Sequence, residues 1–139
     1  MPASIDRRGF IAAGAAATAF NILPTGALAL SPNGKFRTAH VGVGGKGWSD
    51  LNEMFSHPKC EIAAICDIDK GRLAKAIKKC PNAKPFSDYR EMLVKMGDTI
   101  DGVVVSTPDH THAPASMRAM NMGKTVYCQK PLTHEVFEA

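Results

Sequence analysis

The segment HVGVGGKGWSDLNEMF, at residues 40–55, decides the fold of this chain. Within it, Gly42, Gly44 and Gly47 fit the spacing G-x-G-x-x-G. The glycines follow an apolar, strand-like pattern and open a helical pattern in which apolar residues recur every three or four positions. Such a turn leaves main-chain N–H groups free at the positive end of a helix, where phosphate groups bind. The segment therefore predicts a dinucleotide-binding turn.

Each residue of this turn has an expected task. Gly42 permits the tight turn, Gly44 lacks the Cβ that would block a pyrophosphate, and Gly47 lets helix and strand approach closely. Gly45 and Lys46 lie between these glycines, so we expect them to line the same cofactor site. The alternative for the whole turn is a flexible surface loop.

Asp67 is the expected partner of the turn. It follows a short apolar strand pattern at 61–66 and lies 20 residues beyond Gly47. A carboxylate at this place accepts hydrogen bonds from the adenosine ribose in folds of this kind. The alternative role is the N-cap of the next helix, which Asp69 can also fill.

The same carboxylate bears on the choice of cofactor. Asp67 would repel a 2′-phosphate, which favours NAD over NADP. Lys70 and Arg72 lie close enough in sequence to weaken that preference, so NADP stays open.

Strand-like and helix-like patterns alternate through the rest of the chain. Strands are predicted at 36–43, 61–66, 102–106 and 125–128, with one short additional strand. Helices are predicted at 47–56, 69–79 and 113–122, from a cap at Ser87 or Asp88 through about Met96, and from Thr133 onward. Continuous apolar strands separated by amphipathic helices predict an α/β fold, a doubly wound parallel sheet of the Rossmann type. Right-handed crossovers place all carboxyl ends at one edge, so chemistry is expected in the segments that follow the strands.

Two of these segments carry candidate site residues. In STPDHTHA (106–113), Thr107 and Pro108 are expected to line the cofactor cleft and His112 to cap or pack at the start of the next helix. In YCQKPLT (127–133), the ammonium of Lys130 is placed to orient a substrate hydroxyl or share in proton transfer. The alternative for Lys130 is a solvated side chain.

In these motifs the chain resembles the glucose–fructose oxidoreductase, inositol dehydrogenase and MocA family. Members carry the glycine turn, an S-T-P-x-x-x-H-A-type segment and E-K-P after the fifth strand, and all three occur here in order. The resemblance implies hydride transfer between a nicotinamide cofactor and a sugar or polyol, with Lys130 catalytic. The residues it adds to the cofactor site are Thr107, Pro108, His112, Gln129, Lys130 and Pro131.

The chain departs from the family pattern in two ways. Gln129 stands where the family has Glu, which removes a charge beside Lys130. The sequence stops at Ala139, whereas family members continue into a second, substrate-binding domain. The expected function is therefore the nucleotide-binding part of a longer oxidoreductase, inactive as this fragment alone. The alternatives are an NAD-dependent glycosidase of the same family and a non-catalytic nucleotide-binding module.

The N-terminus predicts an export signal. Arg7 and Arg8 form a twin arginine, an uncharged apolar stretch runs over 10–23, and Ala-Leu-Ala at 27–29 supplies the small residues of a cleavage site. The apolar stretch is shorter than the roughly 20 residues that a spanning helix needs, so no permanent membrane anchor is expected. The alternative is a buried, Ala-rich helix.

This interpretation divides the chain into an export signal (1–29), a linker (30–35) and an NAD(P)-binding domain (36–139). The twin-arginine export machinery would then be a partner, and the destination the periplasm or the exterior of the cell.

Charge and composition argue against nucleic acid, disulfide bonds and metal ions as features of this chain. A net charge of +4 spread over 139 residues, with no basic run interleaved with aromatics, argues against nucleic acid. The four cysteines form no C-x-x-C pair and are expected as reduced thiols. His110 and His112 lack a third ligand at useful spacing, so no metal site is expected. A homo-oligomer stays open.

Overall fold

The computed structural model describes residues 34–139. The predicted export signal and most of the predicted linker lie outside the described residues. In chain order the strands are β1 (Phe36–Val41), β2 (Cys60–Cys66), β3 (Lys84–Phe86), β4 (Gly102–Val105) and β5 (Thr125–Cys128). The α-helices are α1 (Lys46–Ser56), α2 (Lys70–Lys79), α3 (Tyr89–Met96) and α4 (His112–Asn121).

The five strands form one parallel sheet in the order β3-β2-β1-β4-β5. The chain winds outward from β1 to β3, returns through α3 to β4, and winds outward again to β5. This order is the doubly wound arrangement of a Rossmann fold, with its switch point between β1 and β4. The predicted fold class is confirmed, and the short additional strand is β3.

Each face of the sheet is covered by a separate apolar cluster. On one face, side chains of α3 and α4 pack with alternate residues of the central strands. The main members of this cluster are Ala39, Val41, Met92, Leu93, Val103, Val105, Ala115 and Ala119. On the other face, α1 and α2 supply Leu51 and Ala76, which pack with Val43, Ile62 and Ile65. The continuous apolar strands therefore reflect burial on both sides.

Aspartate side chains fix the start of two helices. The Asp69 carboxylate accepts hydrogen bonds from the amides of Gly71 and Arg72, at 2.8 and 3.0 Å, and so caps α2. Asp88 accepts from the amide of Arg90 at 2.8 Å and caps α3. The capping role left open for Asp67 therefore belongs to Asp69.

Two predicted elements differ from the structure by more than one residue at an end. The first strand ends at Val41 rather than at residue 43, because Gly42 turns the chain with φ of +83°. The helix predicted from Thr133 onward is wrong: only a short 3-10 turn forms at Val136–Glu138. Val136 and Phe137 are almost fully exposed within the described chain, so no apolar face is buried to stabilise a longer helix.

His40 is a polar residue enclosed by the sheet and α1. Its ring is fully buried, with Nε2 3.3 Å from the Thr38 hydroxyl and no partner for Nδ1 within residues 34–139. Burial lowers the pKa of His40 to about 4, and the negative charge of Asp50 only partly opposes this shift. The folded protein therefore holds a neutral imidazole where the unfolded chain would be protonated below about pH 6.5.

We predict that His40 makes the protein less stable in mild acid. Because the folded pKa is depressed, the free energy of unfolding should fall as the pH drops from about 6.5 to 4, by at most about 3 kcal/mol. His40→Gln should lose this part of the decline in urea titrations at several pH values. The exposed His57→Gln should keep it. Equal declines in wild type and His40→Gln would contradict the prediction.

Candidate functional site

A cleft of about 640 Å³ opens at the carboxyl edge of the sheet, beside the switch point between β1 and β4. The glycine turn after β1, the segment after β2, the start of α3 and the segment after β4 form its walls. Open α/β sheets bind their ligands at this place.

The glycine turn brings α1 against the end of β1. The amide of Gly42 donates to the carbonyl of Cys66 at 2.8 Å, and a Cβ on Gly42 would lie 2.8 Å from the carbonyl oxygen of Ser106. A Cβ on Gly47 would overlap the carbonyl oxygen of Gly42. Only glycines therefore allow strand and helix to approach this closely.

Three amides at the start of α1 are available to a ligand. Within residues 34–139, the N–H groups of Gly44, Gly45 and Lys46 donate to no acceptor. They lie at the positive end of an 11-residue helix, and all three residues line the cleft. This arrangement matches an oxyanion such as the diphosphate of a dinucleotide.

Asp67 contacts the glycine turn directly. Its Oδ2 accepts the amide of Val43 and its Oδ1 the amide of Asp69, each at 2.9 Å. The side chain is largely buried but lines the cleft. Each carboxylate oxygen has a second lone pair, so the group can also accept bonds from a diol.

Arg72 adds a positive charge to this part of the cleft. Its side chain occupies the space beside Gly44, with Cδ 2.6 Å from the position that a Cβ would take. Its Nε lies 3.7 Å from the Asp69 carboxylate. Sequence reasoning placed Arg72 near the site only as a modifier of cofactor choice. In the structure it lines the cleft directly.

Thr107 and Pro108 form the wall after β4. The hydroxyl oxygen of Thr107 is buried and has no hydrogen-bond partner among the described residues. An unpartnered hydroxyl at a ligand cleft can be satisfied by a bound molecule.

His112 joins the two segments that follow β4 and β5. It is buried at the first position of α4, with Nε2 2.7 Å from the carbonyl oxygen of Thr107 and Nδ1 2.5 Å from that of Pro131. His112 therefore packs at the start of α4, as one of the two predicted roles required. His112 lies behind the cleft wall, which Thr107 itself lines.

Gln129, Lys130 and Pro131 leave the sheet at the same edge. The amide of Gln129 donates to the carbonyl of Val105 at 2.9 Å, which extends the pairing of β4 and β5 by one residue. Lys130 and Pro131 are exposed, and the peptide bond between them is cis. These residues lie next to the cleft rather than among the residues that line it.

Asp50 is the residue that sequence reasoning missed. Only 5% of it is exposed, and it receives hydrogen bonds from the side chains of Lys46, Ser106 and Gln129 at 2.8, 2.7 and 2.9 Å. Burial alone would raise the pKa of Asp50, but these three donors outweigh burial and lower it. The i,i+4 spacing from Lys46 was the one local signal, and it predicts only a surface ion pair.

Residues 34–139 contain neither a metal-binding cluster nor a membrane-spanning helix. No group of three or more His, Cys, Asp or Glu in this range is arranged to hold a metal ion. No helix in the same range has the length and apolar character to cross a membrane. All four cysteines are free thiols.

The model of the oxidoreductase family with an NAD-binding Rossmann fold, named for glucose–fructose oxidoreductase, inositol dehydrogenase and MocA, matches residues 36–139. The chain belongs to this family. The match covers the whole sheet and every residue of the cleft.

Curated relatives carry two kinds of name. A glycosyl hydrolase family 109 protein of Stenotrophomonas maltophilia is 35% identical over 91% of this chain and 30% of its own length. The alpha-N-acetylgalactosaminidase of Shewanella oneidensis is 32% identical over 73% of this chain and 24% of its own. Inositol 2-dehydrogenase of Rubrobacter xylanophilus is 32% identical over 66% of this chain and 26% of its own.

A solved structure extends the comparison. The WlbA dehydrogenase of Chromobacterium violaceum, in complex with NADH and UDP-GlcNAcA, superposes with a TM-score of 0.69 at 26% identity. The match covers 75% of this chain and 30% of that one. The chain therefore spans less than a third of the length of these relatives.

We predict that Gly47→Ala destabilises the protein. Alanine normally stabilises a helix relative to glycine by about 1 kcal/mol, but here its Cβ would meet the main chain at Gly42, and such overpacking costs about 1–3 kcal/mol. Urea unfolding should show the loss. Ser49→Ala, in the same helix, should change the free energy of unfolding by less than about 0.5 kcal/mol. A more stable Gly47→Ala protein would contradict the close approach.

Proposed function

We propose that this chain is the NAD-binding part of a longer oxidoreductase that transfers a hydride between nicotinamide and a sugar or polyol. The observation that carries the proposal is the set of three free amides at the start of α1, those of Gly44, Gly45 and Lys46. The Asp67 carboxylate, which accepts the amide of Val43 in the same turn, lies beside them. Family membership supports NAD as the cofactor. The name of inositol 2-dehydrogenase and the UDP-GlcNAcA bound to the WlbA dehydrogenase support a sugar or polyol as the substrate.

Different residues of the cleft bind different parts of the cofactor. The amides of Gly44, Gly45 and Lys46 bind the diphosphate, and Asp67 accepts the hydroxyls of the adenosine ribose. NAD, when bound, supplies the hydride chemistry. Asp67 disfavours a 2′-phosphate, whereas Arg72 on the same wall attracts one, so discrimination against NADP is expected to be moderate.

Lys130 acts on the substrate in this proposal. It emerges at the carboxyl edge immediately after the last paired residue, Gln129. Its ammonium can hold a substrate hydroxyl and exchange a proton with it while the carbon is oxidised or reduced. In this proposal the remaining substrate contacts come from the part of the protein that corresponds to the rest of the relatives' length, since this chain spans 30% of that length.

The proposal includes export. Arg7 and Arg8, followed by the apolar stretch and Ala-Leu-Ala, support a twin-arginine signal and a periplasmic or secreted protein. Because free NAD is scarce outside the cytoplasm, the cofactor would be bound before export of the folded protein and then retained. Purified exported protein free of nucleotide would count against this.

A second candidate is a glycosidase that oxidises and re-reduces its sugar on one bound NAD. The names of two relatives favour it, the family 109 protein and the alpha-N-acetylgalactosaminidase. An assay of the full-length protein with both kinds of substrate distinguishes the two functions. The dehydrogenase accumulates reduced nicotinamide as substrate is consumed, whereas the glycosidase releases a sugar with no net reduction.

We predict that Asp67→Ala weakens NAD more than NADP. NAD loses hydrogen bonds to a charged group, worth about 1.5–3 kcal/mol, so its affinity should fall about tenfold to a hundredfold. NADP loses a repulsive neighbour, so the ratio of the two dissociation constants should move toward NADP. Titration calorimetry measures both. The exposed Asp98→Ala should leave the ratio unchanged, and an unchanged ratio in Asp67→Ala would overturn the assignment.

We predict that Lys130→Ala lowers kcat of the full-length protein at least a hundredfold, since a positioned proton-transfer group contributes about 10²–10⁴. The dissociation constant for NAD should stay within about threefold, because Lys130 lies outside the cleft lining. Steady-state kinetics and calorimetry check the two parts. Lys124→Ala, just before the amino end of β5, is the matched control. Full activity in Lys130→Ala would leave only the binding role.

A further inference from the structure

Asp50 joins three segments that are far apart in sequence. Its Oδ1 pairs with the ammonium of Lys46 in the first turn of α1. Its Oδ2 accepts the hydroxyl of Ser106, after β4, and the side-chain amide of Gln129, after β5. Within residues 34–139 it is one of two nearly buried carboxylates, and Asp67, the other, contacts only main-chain amides.

This arrangement requires a donor at position 129. The Gln129 amide nitrogen lies 2.9 Å from Asp50 Oδ2 and 3.1 Å from the Tyr127 hydroxyl. A glutamate in the same conformation would put a second negative charge against a largely buried carboxylate. Like charges at this distance oppose joint ionisation strongly. The neutral amide at 129 is therefore matched to the carboxylate at 50.

The Lys130 segment is held on both sides. Before Lys130, Gln129 is fixed through its main chain to Val105 and through its side chain to Asp50. After Lys130, the carbonyl oxygen of Pro131 contacts the buried ring of His112. Lys130 is thus the one residue between two anchors.

We propose that Asp50 is a positioning residue for Lys130, and that through Gln129 it sets the place of the Lys130 ammonium relative to the glycine turn. The same carboxylate holds Lys46, whose amide is one of the three free groups at the start of α1. One side chain therefore fixes the register between the cofactor-binding turn and the proton-transfer residue. This inference rests on the proposed function, because it assigns Lys130 its role.

The test exchanges the two partners in the full-length protein. Gln129→Glu should lower kcat at pH 8 at least tenfold and give a pH profile in which kcat recovers as the pH falls, because protonation of either carboxyl restores a donor. Asp50→Asn combined with Gln129→Glu restores an amide–carboxylate pair in reverse. The double variant should recover part of the lost kcat and flatten the profile, because the amide introduced at position 50 restores a hydrogen bond to position 129 but no longer forms an ion pair with Lys46.

Neighbouring charges and controls bear on this profile. The other titratable groups that act on Asp50 or on its partner Lys46 are His40, Glu53 and Tyr127, and all three are unchanged in Gln129→Glu and in the double variant. Glu53→Gln removes an exposed carboxylate from the same helix and should leave kcat within about twofold. The melting temperature of the nucleotide-free variants gives a readout besides activity. It should fall in Gln129→Glu, more so at pH 8 than at pH 5, and recover in the double variant.

The outcomes separate this inference from the proposed function. If wild type neither binds NAD nor turns over a sugar or polyol, the proposed function fails. If wild type is active but Gln129→Glu keeps its kcat and pH profile, or the double variant is no better than the single one, the positioning role of Asp50 is wrong. Should Gln129→Glu fail to fold, Gln129→Met, which is neutral and has no donor, should still lower kcat about tenfold without a new pH dependence. An unchanged kcat there would equally reject the inference.

Discussion

The close approach of Gly47 to the carbonyl oxygen of Gly42 is the constraint on which the cleft depends. Without it, α1 could not begin directly against the end of β1, and its free amides would not face the switch point of the sheet. The same approach brings Asp50, one turn further along α1, within reach of Ser106 and Gln129. The absence of a Cβ at Gly47 therefore positions both the cofactor-binding turn and the hydrogen bonds of Asp50 to Ser106 and Gln129.

Most of the fold could be predicted because its determinants are local. The spacing of Gly42, Gly44 and Gly47, the continuous apolar strands and the position of Asp67 are all visible within short windows of sequence. The alternation of such strands with amphipathic helices then predicts a parallel sheet, and right-handed crossovers place all its carboxyl ends at one edge. The gathering of the turn, Asp67, Thr107 and Pro108 at one cleft was predictable for the same reason, since each follows a strand that ends at the same edge.

The rest could not be predicted because it depends on contacts between distant residues. Asp50 reads as an ordinary polar position of an amphipathic helix, and nothing near it indicates partners at 106 and 129. The sequence pattern predicts that β1 continues to residue 43, because the apolar Val43 fits the strand pattern. In the structure the strand ends at Val41, since Gly42 turns the chain. The final helix was predicted from a start signal alone. Val136 and Phe137 are not buried in the described chain, and burial is what sustains most helices.

The ring of His112 ties together two loops that are far apart in sequence. Its two nitrogens lie 2.7 Å from the carbonyl oxygen of Thr107 and 2.5 Å from that of Pro131. Because Thr107 lines the cleft and Pro131 directly follows Lys130, any change at this buried ring would disturb the cleft wall and the Lys130 segment together, although the ring itself does not line the cleft.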